Sequence, residues 1–344
     1  MSVLRRLPEL LGPAVLVLGT ALVGLEVSSS LEAYFLDTLI KVAIVVALYV
    51  FIGNSGVLSF GHVSFVALGA WTAGVLTMTR SAKPAIMPGL AHFLLVTNVG
   101  NIASLALAAG VGCIAAFAVG LPLMRLSGLA AGIATFGVLE ITNNVLTYEQ
   151  SIGPGLNSFS SVPQTTGMWQ AAIGALICVA AAFAYGRSRF SRMLRATRED
   201  RAAAAASGIS VYRQRLLAFA LSGGLAGFAG GLYVHLQPLQ AGSLYLDLTF
   251  ITLAMLVVGG SGSLLGAVVG ALAVNGLYSF LSAAVNTVDL FGWQLTVPVG
   301  TPEIVIGVLM ALVLVLRPSG LTGGREVRFP HRRPRTGPPA GEPA

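Results

Sequence analysis

Long apolar runs, broken by short polar or glycine-rich connections, cover most of the chain. A helix needs about 20 mostly apolar residues to span a membrane. The runs predict ten such helices, over residues 11–27, 37–53, 60–79, 100–122, 126–147, 170–186, 215–236, 246–260, 262–284 and 302–317. The two weakest are 37–53, which carries Lys41, and 246–260, which is short. The fold class that follows is all-α: a polytopic membrane helix bundle with an interruption near its start. That interruption is "GNSGVLSFGH" at 53–62, between the runs 39–52 and 63–79. Helix-breaking glycines and polar side chains are costly in hydrocarbon, so the break calls for a reason. The pattern leaves open whether 37–53 crosses fully or forms one arm of a broken helix.

Composition agrees with the pattern. Of 344 residues, 55% are hydrophobic and only 10% charged, against about 25% charged in soluble domains. The net charge of +7 raises nucleic acid as a partner, but the distribution of the basic residues speaks for topology instead. With the N-terminus inside, six crossings bring 187–214 back inside and four more return the tail. Arg5, Arg6, Arg125, the eight arginines from 187 through 215 and the six from Arg317 onward then share the cytoplasmic side. Only Lys41, Arg80 and Lys83 are left over. The expected partner is the lipid bilayer, with no nucleic acid. Cys113 and Cys178 lie inside apolar runs and read as small buried hydrophobes.

The remaining segments divide by composition. Residues 1–34 resemble a signal peptide at first glance, but the apolar run is long and lacks a clear cleavage site, so they are expected to hold a first spanning or surface helix. Residues 148–169 have no basic residue and many turn formers, which suits an exterior loop. Residues 325–344 are rich in Pro, Gly and Arg and predict a disordered cytoplasmic tail. The main transmembrane domain is expected over 35–324.

Four features carry candidate function. The first is small-residue spacing: Gly223, Gly227 and Gly231 stand four apart in "GGLAGFAGG", with Gly230 on a neighbouring row. Gly262, Gly266 and Gly270 repeat the spacing after Gly259 and Gly260, and Gly128 and Gly132 add a pair. Such stripes let helix backbones approach closely, for static packing or for sliding. The second is the loop 187–214. Arg195, Arg198, Glu199 and Arg201 at helical spacing, the alanine run and Gly208 as a stop predict a short basic helix on the cytoplasmic face. Its acidic pair Glu199 and Asp200 points to a docking partner rather than topology alone. The third is Glu140, an intramembrane carboxylate with Asn143 and Asn144 one turn on, suited to a functional or a structural role. The fourth is the break itself, with Asn54, Ser55, Ser59 and His62 among Gly53, Gly56 and Gly61. His62 and His235 have no spaced partner, so no metal site is expected, and no catalytic residues are assigned. No GxxxxGK[ST], GxSxG or HExxH occurs. Any nucleotide chemistry belongs to another chain.

These motifs resemble the branched-chain amino-acid ABC transporter permeases of the LivM type. "GNSGVLSFGHVSFVALGAWTAG" (53–74) is similar to that family's G-x-x-G-x-L-S-x-G-H signature. "RFSRMLRATREDRAAAAASGISVYRQRLLAFALSGGLAGFAGGLY" (189–233), "LAMLVVGGSGSLLGAVVGALAV" (253–274) and "LRPSGLTGG" (316–324) follow in the family's order, as do "LSGLAAGIATFGVLEITNN" (126–144) and "GPGLN" (153–157). The resemblance implies a pore subunit of a bacterial inner-membrane importer. Its implied partners are a homologous LivH-type permease, two cytosolic ATP-binding subunits that use ATP and Mg, and a periplasmic or lipid-anchored substrate-binding protein. No cofactor is expected on this chain. Arg195, Arg198, Glu199, Asp200 and Gly208 match the region that docks on the ATPase. Asn54, Ser55, Gly56, Ser59, Gly61 and His62 are expected along the substrate path, and Gly223, Gly227, Gly231, Gly259, Gly260, Gly262, Gly266 and Gly270 at packing or gating interfaces. Urea and short-amide permeases share the motif set, so the substrate stays open. An ion-coupled secondary transporter using Glu140 or Asp247 is the alternative from another class.

Overall fold

The computed structural model describes residues 7–149, 151–152, 155, 158–285, 288–290, 293–295, 297–317 and 319–323. Arg5, Arg6, most of "GPGLN" and the tail 325–344 lie outside the described residues. Among the described residues ten apolar helices carry the fold, and each matches one of the runs read from the sequence. They are α1 (Leu7–Glu26), α2 (Ser29–Ser55), α3 (His62–Thr77), α6 (Asn101–Leu123), α7 (Leu129–Tyr148), α8 (Met168–Arg187), α11 (Val211–Val234), α12 (Leu246–Gly259), α13 (Leu264–Val285) and α14 (Thr301–Leu316). Eight are long and apolar enough to span a membrane, α12 together with the 3₁₀ turn before it; α3 and α14 are shorter. The short α4 (Lys83–Ile86) and α5 (His92–Val96) join α3 to α6, while α9 (Arg189–Glu199) and α10 (Arg201–Ala206) join α8 to α11. A two-stranded antiparallel ribbon, β1 (Val288–Leu290) and β2 (Trp293–Leu295), pairs Val288 with Leu295 and is the exception to the all-helical expectation.

α2 and α11 form the centre. Residues 38–55 of α2 are buried without interruption, as expected of a helix apolar on all sides. It packs against α1, α8, α11, α12 and α13. α11 lies against α2, α3 and α6, and its glycines explain how closely. A Cβ on Gly227 would lie 2.4 Å from the Ala108 carbonyl oxygen of α6, and one on Gly230 would lie 2.0 Å from the Val66 oxygen of α3. No side chain fits there, so the helices meet backbone to backbone.

Ion pairs and hydrogen bonds sort the helix termini into two ends. At one, Arg187 of α8 is 3.8 Å from Glu9 of α1, and Tyr212 and Arg215 at the start of α11 donate to the carbonyls of Leu121 and Leu126. Arg198 of α9 donates to Gly53 at the end of α2. At the other, Val99 bonds Leu76, Thr166 bonds His235 and Asn101 donates to Thr165 and Gln170. Lys83 is buried there and donates to the carbonyls of Leu94 and Thr97; burial, and then Arg80 nearby, hold its ammonium below the usual lysine range. The basic segment therefore gathers at one end, and ten alternating helices return the chain to it.

The segment 37–53 sits wholly inside α2, which is long enough to cross by itself. The interruption at 53–62 is thus the α2–α3 connection, at the basic end, with α3 as its short arm.

Candidate functional site

The α2–α3 junction and the basic connection form one site. α2 ends where Gly56 takes φ +69° and donates its N–H to Ile52. That left-handed backbone suits a residue without a Cβ. The chain then runs back inward, and Gly61 comes so near α7 that a Cβ would lie 2.4 Å from the Thr135 oxygen. Thr135 is six residues into α7, so at 1.5 Å per residue the return reaches about 9 Å below that helix start. Phe60 N–H donates to Thr135 Oγ1.

The polar side chains expected along a substrate path are buried and bond within the chain. Ser55 Oγ accepts from Val57 N–H, and Ser59 Oγ lies 2.8 Å from His62 Nδ1. His62 is ringed by Phe51, Phe65 and Phe219, with centroids 5.5, 6.0 and 5.1 Å away. Asn54 Nδ2 donates to Val50, while its Oδ1 accepts from Ser191 Oγ of α9 at 2.7 Å. Arg198 Nη1 donates to the Gly53 carbonyl at 2.9 Å, and its stem lies over Gly56. A buried bond of the Asn54–Ser191 kind contributes about 1 kcal/mol net. Two bonds from α9 thus hold the end of α2.

α9 is amphipathic. Ser191, Leu194 and Thr197 are buried, and Arg189, Arg192, Arg195 and Glu199 are exposed. Ser188 caps its first turn through Ser191 N–H. The basic stretch expected as one helix is two, because Asp200 breaks it. Its carboxylate accepts from Ala202 and Ala203 N–H and caps α10. Gly208 follows with φ +79° and ends α10 as expected. Of the residues expected to dock a partner, Glu199 stands free at the surface, whereas Arg195 folds back on the Gly186 carbonyl and Arg198 on Gly53. Ser191 carried no signal in the sequence, since nothing marks one serine among the charges.

A second glycine junction joins α12 to α13. Gly259 and Gly270 are in backbone contact: a Cβ on Gly259 would lie 2.0 Å from the Gly266 oxygen, and one on Gly270 2.0 Å from the Met255 oxygen. Gly262 lies exposed in the turn before α13, outside the stripe. Gly128 and Gly132 do not make a close interface either, with nothing within 4 Å of a Cβ on the first and 3.6 Å to the nearest atom on the second. Glu140 is exposed on α7 and accepts from Asn144 and from the Tyr245 hydroxyl. Among the described residues, no three His, Cys, Asp or Glu side chains come together as a metal site.

Comparison with known proteins decides the family. Residues 30–314 match the family described as branched-chain amino acid transport system, permease component. The chain belongs to this family. It is 27% identical over 320 residues to the high-affinity branched-chain amino acid transport system permease protein LivM of Salmonella typhimurium, covering 83% of this chain and 68% of that one. A probable LivH permease of Methanocaldococcus jannaschii is 31% identical over 143 residues, 40% of this chain and 42% of its own. The autoinducer 2 import system permease LsrC of Klebsiella pneumoniae is 28% identical over 203 residues, 56% of each chain. No solved structure matches. Family membership and the apolar helices make the chain a multi-pass membrane permease subunit.

Proposed function

We propose that this chain is one of two permease subunits in an ATP-driven importer for branched-chain amino acids in a bacterial cytoplasmic membrane. A homologous LivH-type subunit completes the path. Two cytosolic subunits bind ATP and Mg and dock on α9 and α10, and a substrate-binding protein delivers from the other end. The two-faced α9 carries this reading: one face is charged and open, while the other bonds to the end of α2. Motion imposed on the open face has a direct route through Ser191 and Arg198 to the α2–α3 junction. On this reading the junction serves as a joint of the path wall, and His62, Ser59 and Phe219 pass its displacement to α11. The basic end is cytoplasmic by the positive-inside rule. The LivM relatives support the branched-chain substrate. Against an ion-coupled transporter stands Glu140, which is engaged by Tyr245 and Asn144 on an exposed face rather than enclosed.

The test is uptake in proteoliposomes containing the full set of subunits. L-Leucine enters only when ATP and both ATP-binding subunits are inside, and dissipating a proton gradient leaves it unchanged. Uptake driven by a proton gradient without those subunits would refute the proposal.

A further inference from the structure

A cavity of about 510 Å³ lies among α2, α11, α12, α13 and α14, of a size usual for small-molecule sites. The α9 joint makes no use of it. Lys41, only 6% exposed, lines its inner side. Its ammonium is 2.7 Å from Asp37 Oδ2 and 2.9 Å from Asn275 Oδ1, and lies 5.3 Å over the Tyr278 ring. A lysine has three N–H donors, and those two partners take two. Asp247 and Glu303, in the first turns of α12 and α14, bring two exposed carboxylates to the outer side, away from the basic end. Ile251, Ile306 and Met310 supply an aliphatic wall.

The charges are ordered. Lys41 and Asp37 offset one another at depth, while Asp247 and Glu303 leave the outer side negative. A free anion is repelled there, and a neutral amide gains no ion pair. A zwitterion with an aliphatic body satisfies every part.

We infer that this cavity is a transient site for an aliphatic α-amino acid on its way through the subunit, its ammonium toward Asp247 and Glu303, its carboxylate toward the third N–H of Lys41, and its side chain on Ile251, Ile306 and Met310. The assignment rests on the amino-acid reading above and adds where and how the substrate is held. It places substrate contact on the face of α2 that meets α13, not at the 53–62 junction.

The test uses the complete importer in proteoliposomes with ATP. Asp247→Asn combined with Glu303→Gln lowers initial L-leucine uptake at least about tenfold while ATP hydrolysis and assembly persist. Ile304→Ala with Val308→Ala, on the exposed face of α14, changes nothing. Uptake within about twofold of wild type in the double carboxylate variant overturns the site. An Ile251→Cys variant gives a second reading that does not depend on the carboxylate variant folding. Millimolar L-leucine slows its labelling by a cationic thiol reagent and urea does not; equal rates with and without leucine overturn the site. If wild-type importer moves urea and not leucine, the substrate reading fails and the site with it. If wild type moves leucine and the variants behave as wild type, the site alone fails.

Discussion

Two glycine-rich junctions stand side by side at the basic end of the bundle, and they differ in what chiefly holds them. At the α2–α3 junction Gly61 packs on the Thr135 carbonyl, while the end of α2 is held by side chains from another element: Ser191 on Asn54 and Arg198 on Gly53. The α12–α13 junction is held mainly by backbone, with the Thr322 hydroxyl adding bonds to the Gly259 carbonyl and to Ser263. Gly260 turns it with φ +112°, Leu321 and Thr322 N–H groups donate to Val258 and Gly259, and Gly259 and Gly270 meet with no room for a methyl group. The two touch, since a Cβ on Gly53 would lie 2.7 Å from the Ser261 oxygen. Side-chain links of about 1 kcal/mol each can be made and broken as a helix moves. A close-packed backbone contact yields only by separating the helices. The first junction therefore suits transmission and the second suits a fixed floor against which it works.

Substitutions at the two junctions should differ in the size of their effects. Gly270→Ala forces a methyl into the Met255 carbonyl, an overpacking cost of about 1–3 kcal/mol or more. The expected result is loss of folded protein, read as the yield of a monodisperse species in detergent, whereas Gly19→Ala, with nothing within 4 Å, keeps full yield. Next comes Arg198→Glu, which removes the bond to Gly53 and brings a negative charge to its carbonyl. Protein level should hold while leucine uptake per ATP hydrolysed drops at least about tenfold. Thr322→Ala should lower thermal stability by about 1 kcal/mol through its bonds to Gly259 and Ser263, and leave the uptake-to-hydrolysis ratio alone. Asp200→Ala, which uncaps α10, should cost about 1 kcal/mol locally, visible as faster hydrogen exchange in residues 201–206.

The helices were legible because hydrophobic length and the cost of unpaired backbone in lipid leave few choices. The run 100–122 is realised as Asn101–Leu123, and 262–284 as Leu264–Val285. The start of α2 was missed because "SSLEAYFLD" is too polar to read as a span, although it continues the same helix. Small-residue stripes located the close contacts of α11, but spacing could not exclude Gly128, since a glycine needs a facing backbone to matter. The break at 53–62 was legible from its cost. Its link to α9 was not, because Asn54 meets a serine 137 residues away, and no local pattern reports such a pairing. Lys41 read as a blemish in a weak span for the same reason; its partner Asn275 is 234 residues distant. Asp200 reads as a docking charge in the sequence; that it also caps α10 is a role shared by aspartates at many helix starts.

On the proposed function, α9 drives the permease through its bonds to α2. The most direct measurement is a double-mutant cycle on Asn54→Ala and Ser191→Ala in the reconstituted importer, reading leucine taken up per ATP hydrolysed. Each single variant should lower this ratio by a similar factor with hydrolysis intact, and the double variant should be no worse than either alone. Independent, multiplying losses, or a ratio unchanged in all three, would contradict that role for α9.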